Sequence, residues 1–416
     1  MSERYDVVIA GAGLVGASLA LALARLNWRV AVLERAPFRE VAPPTYDDRT
    51  LALSLASRNI LSAIGLWDGL ERQPEDGSTA GVTPIRSVQV TQKGGPGLVT
   101  IRAQEEGLDA LGYVVQARRL GEHVLKTLPG CPGVDLLVPC EVTDVEADAG
   151  EVRVSCTLDG SDTTIATQLL VGADGTASRV RDAIKIPSER YDYDQTAIIA
   201  NVTPQEFHEG RAFERMTDTG PLAMLPHVER RCGVVWCCRS ADAEAILAMS
   251  DREFLAAVQE RFGYRLGHLE RVGVRASYPL ARLTVPSPVA RRSVIVGNAA
   301  HTIHPVAAQG FNLGLRDVAA LTELLTEAAA SGDDPGSETL LQTYADWREP
   351  DVSRTVAFTD GMVRAFSQSF GPVALARSVG LLALQLAPGL RGALAHRGMG
   401  FGGQRPPAMA LAEATR

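Results

Sequence analysis

Three glycines, Gly11, Gly13 and Gly16, lie between an apolar run, Tyr5–Ile9, and an Ala- and Leu-rich segment, Ala17–Leu26. This order predicts a strand, a tight turn and a long helix. In such a unit the first glycine permits the sharp turn, the second lets the backbone approach a pyrophosphate, and the third lets helix and strand pack closely. The motif therefore predicts an α/β fold of the Rossmann type with a dinucleotide ligand.

An acidic residue follows the motif at the spacing that such a ligand requires. The second predicted strand, Arg29–Leu33, ends at Glu34, where a carboxylate can accept hydrogen bonds from ribose hydroxyls. The alternative for Glu34 is a solvated strand end. An arginine in the position of Arg35 can hold a 2′-phosphate. The motif alone does not separate FAD from a nicotinamide dinucleotide.

A second glycine-bearing corner occurs in the middle of the chain. Gly172, Asp174 and Gly175 follow an apolar run, and a helix is predicted from about Ser178. Asp174 is placed either to accept from ribose hydroxyls or to order the corner as an Asx-turn.

A third corner follows the predicted strand Ser293–Val296 and spans Gly297–Asp317. It combines a flexible Gly297, a rigid Pro305 and several small residues before a helix that starts near Asn312. A loop of small residues at a helix N-terminus lets backbone N–H groups approach a polar ligand closely. The alternative is an ordinary strand–loop–helix connection of an α/β protein.

The length of 416 residues favours two domains. Because strand-rich segments interrupt the strand–helix alternation, we predict a sheet domain inserted into a discontinuous cofactor domain. A helical pattern is predicted from Asp48 to about Leu70, and two separate helices over Ser337–Trp347 and Asp351–Phe370. The predicted division is a cofactor domain of residues 1–75, 105–185 and 285–350, a substrate-binding sheet domain of residues 76–104 and 186–284, and a helical basic C-terminal segment of residues 351–416.

Charge and cysteine usage narrow the function classes. The net charge of −8 argues against nucleic acid as a partner. The six cysteines have no metal-binding spacing, so no metal site is predicted. The chain begins with a strand after four residues, without a basic region and apolar segment of a signal peptide, so we expect a cytoplasmic, reducing location.

The C-terminal segment has a charge opposite to that of the whole chain. Between Gly361 and Leu411 there are five arginines and no Asp or Glu. The uncharged stretch Ser378–Leu390 is shorter than the roughly 20 residues that span a bilayer. An apolar helix flanked by arginines suits the surface of an anionic membrane, which predicts peripheral membrane contact. The alternative is a helix that docks on the protein's own surface.

The order and spacing of the three corners resemble those of the FAD-dependent aromatic hydroxylases of the para-hydroxybenzoate hydroxylase type. Within that group, Asp48-Arg49 and the motifs Gly297-Asn298-Ala-Ala-His and Gln309-Gly310-Phe311-Asn312 resemble the ubiquinone-biosynthesis hydroxylases. The details are similar to the member that acts on 2-polyprenyl-6-methoxyphenol. The resemblance covers most of the chain, from Tyr5 to about Trp347.

The resemblance implies FAD as bound cofactor, NADPH or NADH as transient co-substrate, and O2. It implies hydroxylation of a prenylated phenol in ubiquinone biosynthesis, in contact with a biosynthetic complex and with the inner face of the membrane. The cofactor-binding residues that it implies, together with those from the motifs, are Gly11, Gly13, Gly16, Glu34, Arg35, Arg49, Asp174, Gly175, Gly297, Asn298, Gly310, Phe311 and Asn312.

His304 and Pro305 are the predicted catalytic residues, because the resemblance puts them beside the face of the flavin. His304 can steer the phenol proton, since its ordinary pKa is about 6.5, or it can only anchor the loop. Two positions depart from the wider family: Asn298 stands where Asp is usual, and Ala308 where Gly is usual.

Three alternative functions remain open from the sequence: hydroxylation of a different, soluble aromatic, an FAD-dependent dehydrogenase, and a non-catalytic flavoprotein subunit of a membrane-associated assembly. Met224, Leu225, Pro226 and His227 lie on a predicted strand that either forms an apolar wall of the substrate pocket or packs in the core.

Overall fold

The computed structural model describes residues 4–37, 49–72, 81–367 and 371–402. Asp48 and the ends of the predicted domain segments at 73–75, 76–80 and 403–416 lie outside the described residues. The described strands are β1 (Arg4–Ala10), β2 (Val30–Leu33), β3 (Thr50–Ser54), β4 (Val82–Ile85), β5 (Ser87–Gln92), β6 (Leu98–Arg102), β7 (Gly112–Gln116), β8 (Val134–Leu137), β9 (Cys140–Ala147), β10 (Val152–Leu158), β11 (Ser161–Gly172), β12 (Glu189–Pro204), β13 (Arg211–Thr217), β14 (Gly220–Pro226), β15 (Cys232–Arg239), β16 (Leu269–Val272), β17 (Ala276–Thr284), β18 (Val289–Ala290), β19 (Ser293–Ile295) and β20 (His301–Thr302).

The described helices connect and cover these strands. They are α1 (Leu14–Leu23), α2 (Leu55–Ala63), α3 (Trp67–Glu71), α4 (Ala117–Thr127), α5 (Arg179–Ala183), α6 (Ala243–Leu247), α7 (Asp251–Phe262), α8 (Gln309–Ser331), α9 (Glu338–Ser367), α10 (Gly371–Leu386) and α11 (Pro388–Gly398).

The first sheet contains the parallel core of the fold, in the strand order β18-β19-β11-β1-β2-β8. Its central strands are apolar throughout: β2 is buried at every position, and Val7, Val8 and Ile9 of β1 are fully buried. Continuous apolar runs are typical of parallel strands covered on both faces. Helices α1 and α8 pack against each other on this sheet, as expected for a doubly wound α/β unit.

The second sheet is mostly antiparallel and has the order β20-β17-β12-β15-β14-β13-β5-β6. One face packs on α6 and α7 in a core that includes Phe213, Trp236 and Phe254. The other face is turned towards the third corner, which contributes β20. A small third sheet, β3-β7-β4, contacts α8 through β3 and the second sheet through β4, which packs on β14.

Two predictions of secondary structure were wrong. Thr50–Ser54, predicted as helix, is strand β3, because it pairs with β7 in antiparallel register; the helix starts only at Leu55, where Ser54 caps it. The two helices predicted on either side of Pro350 are one helix, α9, which runs through this proline. The prediction for α7 was confirmed, including the Ser250 cap.

The C-terminal helices pack partly on the rest of the protein. The Thr100 amide donates to Gln385 of α10 at 2.7 Å, and Arg391 of α11 forms an ion pair with Glu105 at 3.0 Å. Within the described residues no single helix has the length and apolar composition to cross a bilayer; Ser378–Leu386 and Pro388–Gly398 reach it only as a pair bent by 100°.

Candidate active site

The three corners lie at one edge of the first sheet because the strands that precede them are parallel and in register. Ala10 of β1 is paired with Gly172 of β11, and Gly172 with Ile295 of β19. Ala10 is also paired with Leu33, the residue before Glu34. In open α/β sheets, ligands bind in the crevice outside the carboxyl ends of the strands. The register therefore brings the glycine corners and the acid together.

The first corner is built from glycines with distinct requirements. Gly11 has φ +105°, and a Cβ there would lie 2.5 Å from the Ala173 carbonyl oxygen of the second corner. A Cβ at Gly16 would collide with the Gly11 carbonyl oxygen. Around Gly13 the described structure has no atom within 4 Å of an added Cβ. Two of the glycines are thus needed for the fold, while Gly13 faces open space at the start of α1.

Glu34 closes the first corner. Its two carboxylate oxygens accept hydrogen bonds from the Ala12 and Ala36 amides, each at 2.9 Å. The carboxylate therefore fixes the glycine turn as well as marking the end of β2. The neighbouring Arg35 side chain is exposed and lies 3.8 Å from Glu141.

Asp174 organises the second corner. One carboxylate oxygen accepts from the Ser178 hydroxyl, and the other from the amides of Arg179 and Val180 at 2.7 and 3.1 Å. These are donors at the start of α5, so the aspartate orders the turn, as one of the two interpretations of the sequence expected. Gly175 has φ +85° and open space around an added Cβ.

The third corner touches the first through Val15 of α1. A Cβ at Gly297, which has φ +60°, would lie 3.2 Å from the Val15 Cγ1 atom. A Cβ at Gly314 of α8 would lie 2.9 Å from Val15 Cγ2. Close approach of α1, α8 and the loop after β19 thus depends on these two glycines. The neighbouring Asn298 side chain is exposed at the same edge.

A buried ionic network fixes Gly297. Its amide donates to Asp317 at 2.9 Å, and the same carboxylate contacts His301 Nε2 at 2.6 Å and Arg348 Nε at 2.8 Å. Burial alone would raise the pKa of Asp317, but His301, Arg348 and the Gly297 amide together hold it below its ordinary value. Arg348 also contacts Asp351 on the same helix, α9. The bonds of Arg348 to Asp317 and of Asp351 to Arg316 join α9 to α8.

The segment before α8 has an unusual backbone. Ala307 and Ala308 have φ values of 59° and 50°, a region that L-residues with a Cβ rarely adopt. Helix α8 then starts at Gln309 without a side-chain cap. Gly310 is open to its surroundings, and Phe311 packs partly on the main core. The uncapped N–H groups of this helix leave donors for a polar ligand.

Asn312 connects the third corner to β3. Its side-chain oxygen accepts from the Ser54 amide at 2.8 Å, and its amide group donates to Ala52 and Ala308 carbonyls at 3.0 and 2.6 Å. Arg49, the residue before β3, instead stacks on the Tyr278 ring at 4.7 Å. The structure thus brings Asn312 into the corner and directs the Arg49 guanidinium towards β17.

His304 is fully buried, and both of its ring nitrogens have partners. Nδ1 accepts from the Val306 amide at 3.1 Å, so Nε2 carries the proton and donates to Gln195 at 3.0 Å. Its ring packs edge-on against Tyr193 at 5.0 Å. Burial lowers the pKa of His304 to about 4, so the imidazole is neutral near pH 7. These contacts suit a residue that holds the loop in place.

A cavity of about 420 Å³ separates this loop from the second sheet. Pro305, Ala307 and Ala308 form one wall. Apolar residues of the second sheet and of α9, α10 and α11 form the others, among them Val90, Leu225, Phe358, Leu381 and Leu394. Leu225 therefore lines the cavity, whereas Met224 packs on the other face of the second sheet, in the core with Trp236 and Phe254.

One acidic residue of the cavity wall was not predicted from the sequence. Glu214 of β13 lies among these apolar residues, and burial raises its pKa to about 7. The available signal was its place in the alternation of β13, between Ala212 and Met216, which are both buried.

A family model described as an FAD binding domain matches residues 4–359. The chain belongs to this family. The predicted family resemblance and fold class are confirmed: this is an α/β fold of the para-hydroxybenzoate hydroxylase type, and the protein is an FAD-dependent monooxygenase.

The relatives and solved structures agree with this assignment. Ubiquinone hydroxylase UbiL of Rhodospirillum rubrum is 38% identical over 95% of this chain and 89% of its own. The 3-demethoxyubiquinol 3-hydroxylase of Escherichia coli is 30% identical over 93% of this chain and 96% of its own. The crystal structure of p-nitrophenol 4-monooxygenase from Pseudomonas putida shares the fold, with a TM-score of 0.78 at 18% identity over 97% of this chain and all of that one.

The corners of this FAD-binding protein fit the dinucleotide. Gly13 leaves open space at the N-terminus of α1, and neither α1 nor α8 has a side-chain cap. Two helix N-termini therefore offer free N–H donors and partial positive charge, which suit a pyrophosphate and other electron-rich groups of FAD.

Proposed function

We propose that this monooxygenase hydroxylates 2-polyprenyl-6-methoxyphenol in ubiquinone biosynthesis, with NADPH or NADH as the reductant and O2 as the oxidant. The observation that carries the proposal is the apolar cavity of about 420 Å³ beside the Pro305 loop. A ring with an apolar side chain suits such walls, because apolar area removed from water contributes roughly 25 cal/mol per Å². The names of the ubiquinone hydroxylase UbiL and of 3-demethoxyubiquinol 3-hydroxylase support the substrate class.

The proposed FAD site uses the three corners together. Its adenosine and pyrophosphate part lies at the first corner, on Gly11, Gly13, Gly16 and Glu34, with Asp174 and Gly175 beside it. Its flavin part lies at the third corner, on Gly297, Asn298, Gly310, Phe311 and Asn312. Arg35 and Arg49 reach FAD in this proposal only by leaving Glu141 and Tyr278.

When bound, FAD supplies the redox chemistry that transfers one oxygen atom from O2 to the aromatic ring. The protein supplies orientation and dryness. Pro305 forms a rigid wall of the cavity, and His304, tied to Val306 and Gln195, holds that wall in place. We propose His304 as a positioning residue, since its nitrogens are engaged and its imidazole is neutral.

We also propose that the predicted domains have separate functions in binding FAD and substrate. The first sheet and its corners form the FAD-binding part, and the second sheet forms the substrate-binding part. β5 and β6 support the assignment of residues 81–104 to the second part, since they pair with β13 and with each other. β20 is an exception, because its residues come from the third corner.

The bent pair α10 and α11 is proposed to contact the inner face of the membrane from the cytoplasmic side. Leu386 and Leu390 are 82% and 64% exposed, while Leu381 and Leu394 of the same helices line the cavity. A prenyl chain could therefore pass from lipid to the cavity along one pair of helices. Association with other ubiquinone-biosynthesis proteins is part of the same proposal.

The proposed substrate is tested by the quinone-intermediate profile of cells that lack this protein. We expect 2-polyprenyl-6-methoxyphenol to accumulate and ubiquinone to disappear, and both changes to be reversed by the intact gene. An unchanged ubiquinone pool would refute the function. Accumulation of a later, demethoxylated intermediate would keep the hydroxylase but move its substrate to that of the Escherichia coli relative.

A further inference from the structure

A single carboxylate interrupts an apolar row that crosses five strands of the second sheet. The register pairs Val99 with Val90, Val90 with Glu214, Glu214 with Ala223, and Ala223 with Val235. All five residues line the cavity. Glu214 is therefore the one acid in the centre of this row, directly on the cavity wall.

Glu214 has no compensating partner in the described part of the chain. No hydrogen bond or ion pair there reaches its carboxylate, and desolvation by burial is what raises its pKa. A carboxyl in such a place is costly, since polar groups removed from water normally require a hydrogen bond. An apolar residue would fill the row without this cost, so the position points to a ligand that donates a hydrogen bond.

We propose that the Glu214 carboxylate accepts the hydrogen bond of the substrate's phenol hydroxyl and takes its proton while the ring is hydroxylated. The proposal rests on the phenolic substrate proposed above. In the step, the phenol O–H bond breaks, its electron pair moves towards the ring, and the proton forms a new bond to a Glu214 oxygen. Loss of the proton raises the electron density of the ring, and a ring carbon then forms a bond to an oxygen atom that derives from O2. The same carbon loses its hydrogen as a proton to solvent, which restores aromaticity, and Glu214 returns its proton to the former phenol oxygen.

The groups around Glu214 leave its carboxylate as the one that can take a proton from the substrate. Val90 and Ala223 on the neighbouring strands are apolar. From the other elements, Arg354 of α9 and Arg397 of α11 lie on the cavity lining. On β15, burial and the charge of Glu214 raise the pKa of the Cys237 thiol, which therefore stays neutral.

The same carboxylate discriminates between substrates by charge. An uncharged phenol gains a hydrogen bond to it, whereas a ring that carries its own carboxylate brings a second negative charge into an apolar cavity. Like charges in such a place repel strongly because little solvent screens them. The preferred ring therefore has a hydroxyl and no carboxylate.

The test compares wild-type holoenzyme with Glu214→Gln and Glu214→Asp, and with Glu206→Gln as a control on an exposed acid of the same domain. The probe is 2-allyl-6-methoxyphenol, with its ring-carboxylated analogue as the charged counterpart. Binding is measured by the change in flavin absorbance, and the hydroxylation rate is measured on the acid and the alkaline side of the Glu214 pKa of about 7.

We expect Glu214→Gln to lower the hydroxylation rate roughly 100-fold, in the range of a lost general base. The wild-type rate should rise through about pH 7, and this limb should disappear in Glu214→Gln and persist at reduced rate in Glu214→Asp. Glu214→Gln should also weaken phenol binding roughly tenfold and reduce the discrimination against the carboxylated ring. FAD content and thermal unfolding of each variant separate these effects from misfolding.

Two outcomes overturn the proposal in different ways. If the wild type hydroxylates the phenol and Glu214→Gln does so equally well, with the same pH profile and the same selectivity, the role of Glu214 is refuted and the proposed function stands. If the wild type neither binds nor hydroxylates the phenol, the proposed function fails and the role of Glu214 falls with it.

Discussion

Glu214 is half-buried and His304 is fully buried. Both titratable residues lie beside the cavity, yet their surroundings give them different properties. Both nitrogens of His304 are hydrogen-bonded, and burial holds its pKa near 4, so the ring stays neutral and fixed. The Glu214 carboxyl has no such bonds in the described structure, and burial raises its pKa to about 7. The first residue suits a positioning role and the second suits proton transfer.

The free energy of unfolding should depend on pH because the Glu214 carboxyl has no partner in the described structure. The folded pKa of Glu214 lies above its ordinary value, so ionisation opposes folding: the penalty is absent below about pH 4, grows as pH rises, and is complete above about pH 7. Glu214→Gln should therefore stabilise the holoenzyme at pH 8 by on the order of 1–3 kcal/mol, with no gain at pH 4. Urea unfolding at the two pH values measures the difference. An equal effect at both pH values would show that ionisation of Glu214 does not oppose folding.

Gly13→Ala tests the position of the cofactor at single-residue resolution. The added methyl group meets no described protein atom and the backbone there, at φ −63°, is open to alanine. The apoprotein should unfold within about 0.5 kcal/mol of wild type, while FAD should bind at least roughly 10-fold more weakly because the methyl group occupies its space.

Fluorescence titration of apoprotein with FAD measures this affinity. Gly130→Ala is the matched control, since an added Cβ there is also free of described neighbours but lies far from the corners in sequence. Unchanged FAD affinity in Gly13→Ala would move the pyrophosphate away from the first corner.

The glycine corners could be predicted from the sequence because their chemistry is local. Gly11 must adopt a positive φ and Gly16 must admit a carbonyl oxygen, and both constraints appear in a motif of six residues. Glu214 could not be found in this way. Its environment depends on Val90 of β5, which is distant in sequence and becomes a neighbour only through the pairing of β5 with β13.

At the scale of elements, α8 and α9 are held together by charges. Asp317 of α8 contacts His301 and Arg348, and Asp351 of α9 contacts both Arg348 and Arg316. A buried pair adds little compared with apolar packing, but removing one partner leaves an uncompensated charge. The network therefore fixes the corner at Gly297 through its amide bond to Asp317.

Asp317→Asn should destabilise the protein by about 3–5 kcal/mol at pH 7, because Arg348 loses one of its two carboxylate partners and the His301 Nε2 atom loses the carboxylate that it contacts. The pKa of Asp317 is lowered in the folded state, so its contribution is present above the ordinary carboxyl pKa and is lost as pH falls through the folded one. The variant should consequently differ most from wild type near neutral pH. Asp346→Asn, an exposed aspartate of α9, is the control. Equal unfolding of both variants in urea would refute the role of the network.

The helices α10 and α11 should bind lipid through their exposed apolar residues. Leu386→Ser together with Leu390→Ser should reduce co-sedimentation with vesicles that contain anionic lipid, since these side chains are 82% and 64% exposed. Val274→Ser, at 71% exposure on another face, should leave binding unchanged. Equal binding by all variants would favour the alternative of a helix pair that only docks on the protein.

The errors in predicting elements have physical causes. Thr50–Ser54 has no periodicity that separates helix from strand, and its antiparallel pairing with β7 decides for the strand. Pro350 removes one backbone donor, which predicts a helix end, but α9 packs on α8, β13 and β14 and continues through the proline. Tertiary contacts override local preference in both cases.

At the scale of the whole molecule, two sheets meet at one loop. The parallel sheet brings the three corners to its carboxyl edge, and the antiparallel sheet covers the other side of the cavity with the row that contains Glu214. The sequence predicted the first sheet in outline, because each glycine corner directly follows one of its strands. The faces of the second sheet, and the helices that close the cavity, depend on contacts between distant segments.

We propose that FAD, held by the three corners, supports the transfer of oxygen to a phenol in this cavity. The most direct test is turnover of the purified, FAD-loaded protein with a prenylated methoxyphenol, NADPH and isotopically labelled O2. We expect the phenol to stimulate NADPH oxidation and the product to contain one labelled oxygen atom. NADPH oxidation that is indifferent to the phenol, with all label recovered in hydrogen peroxide, would contradict this proposal.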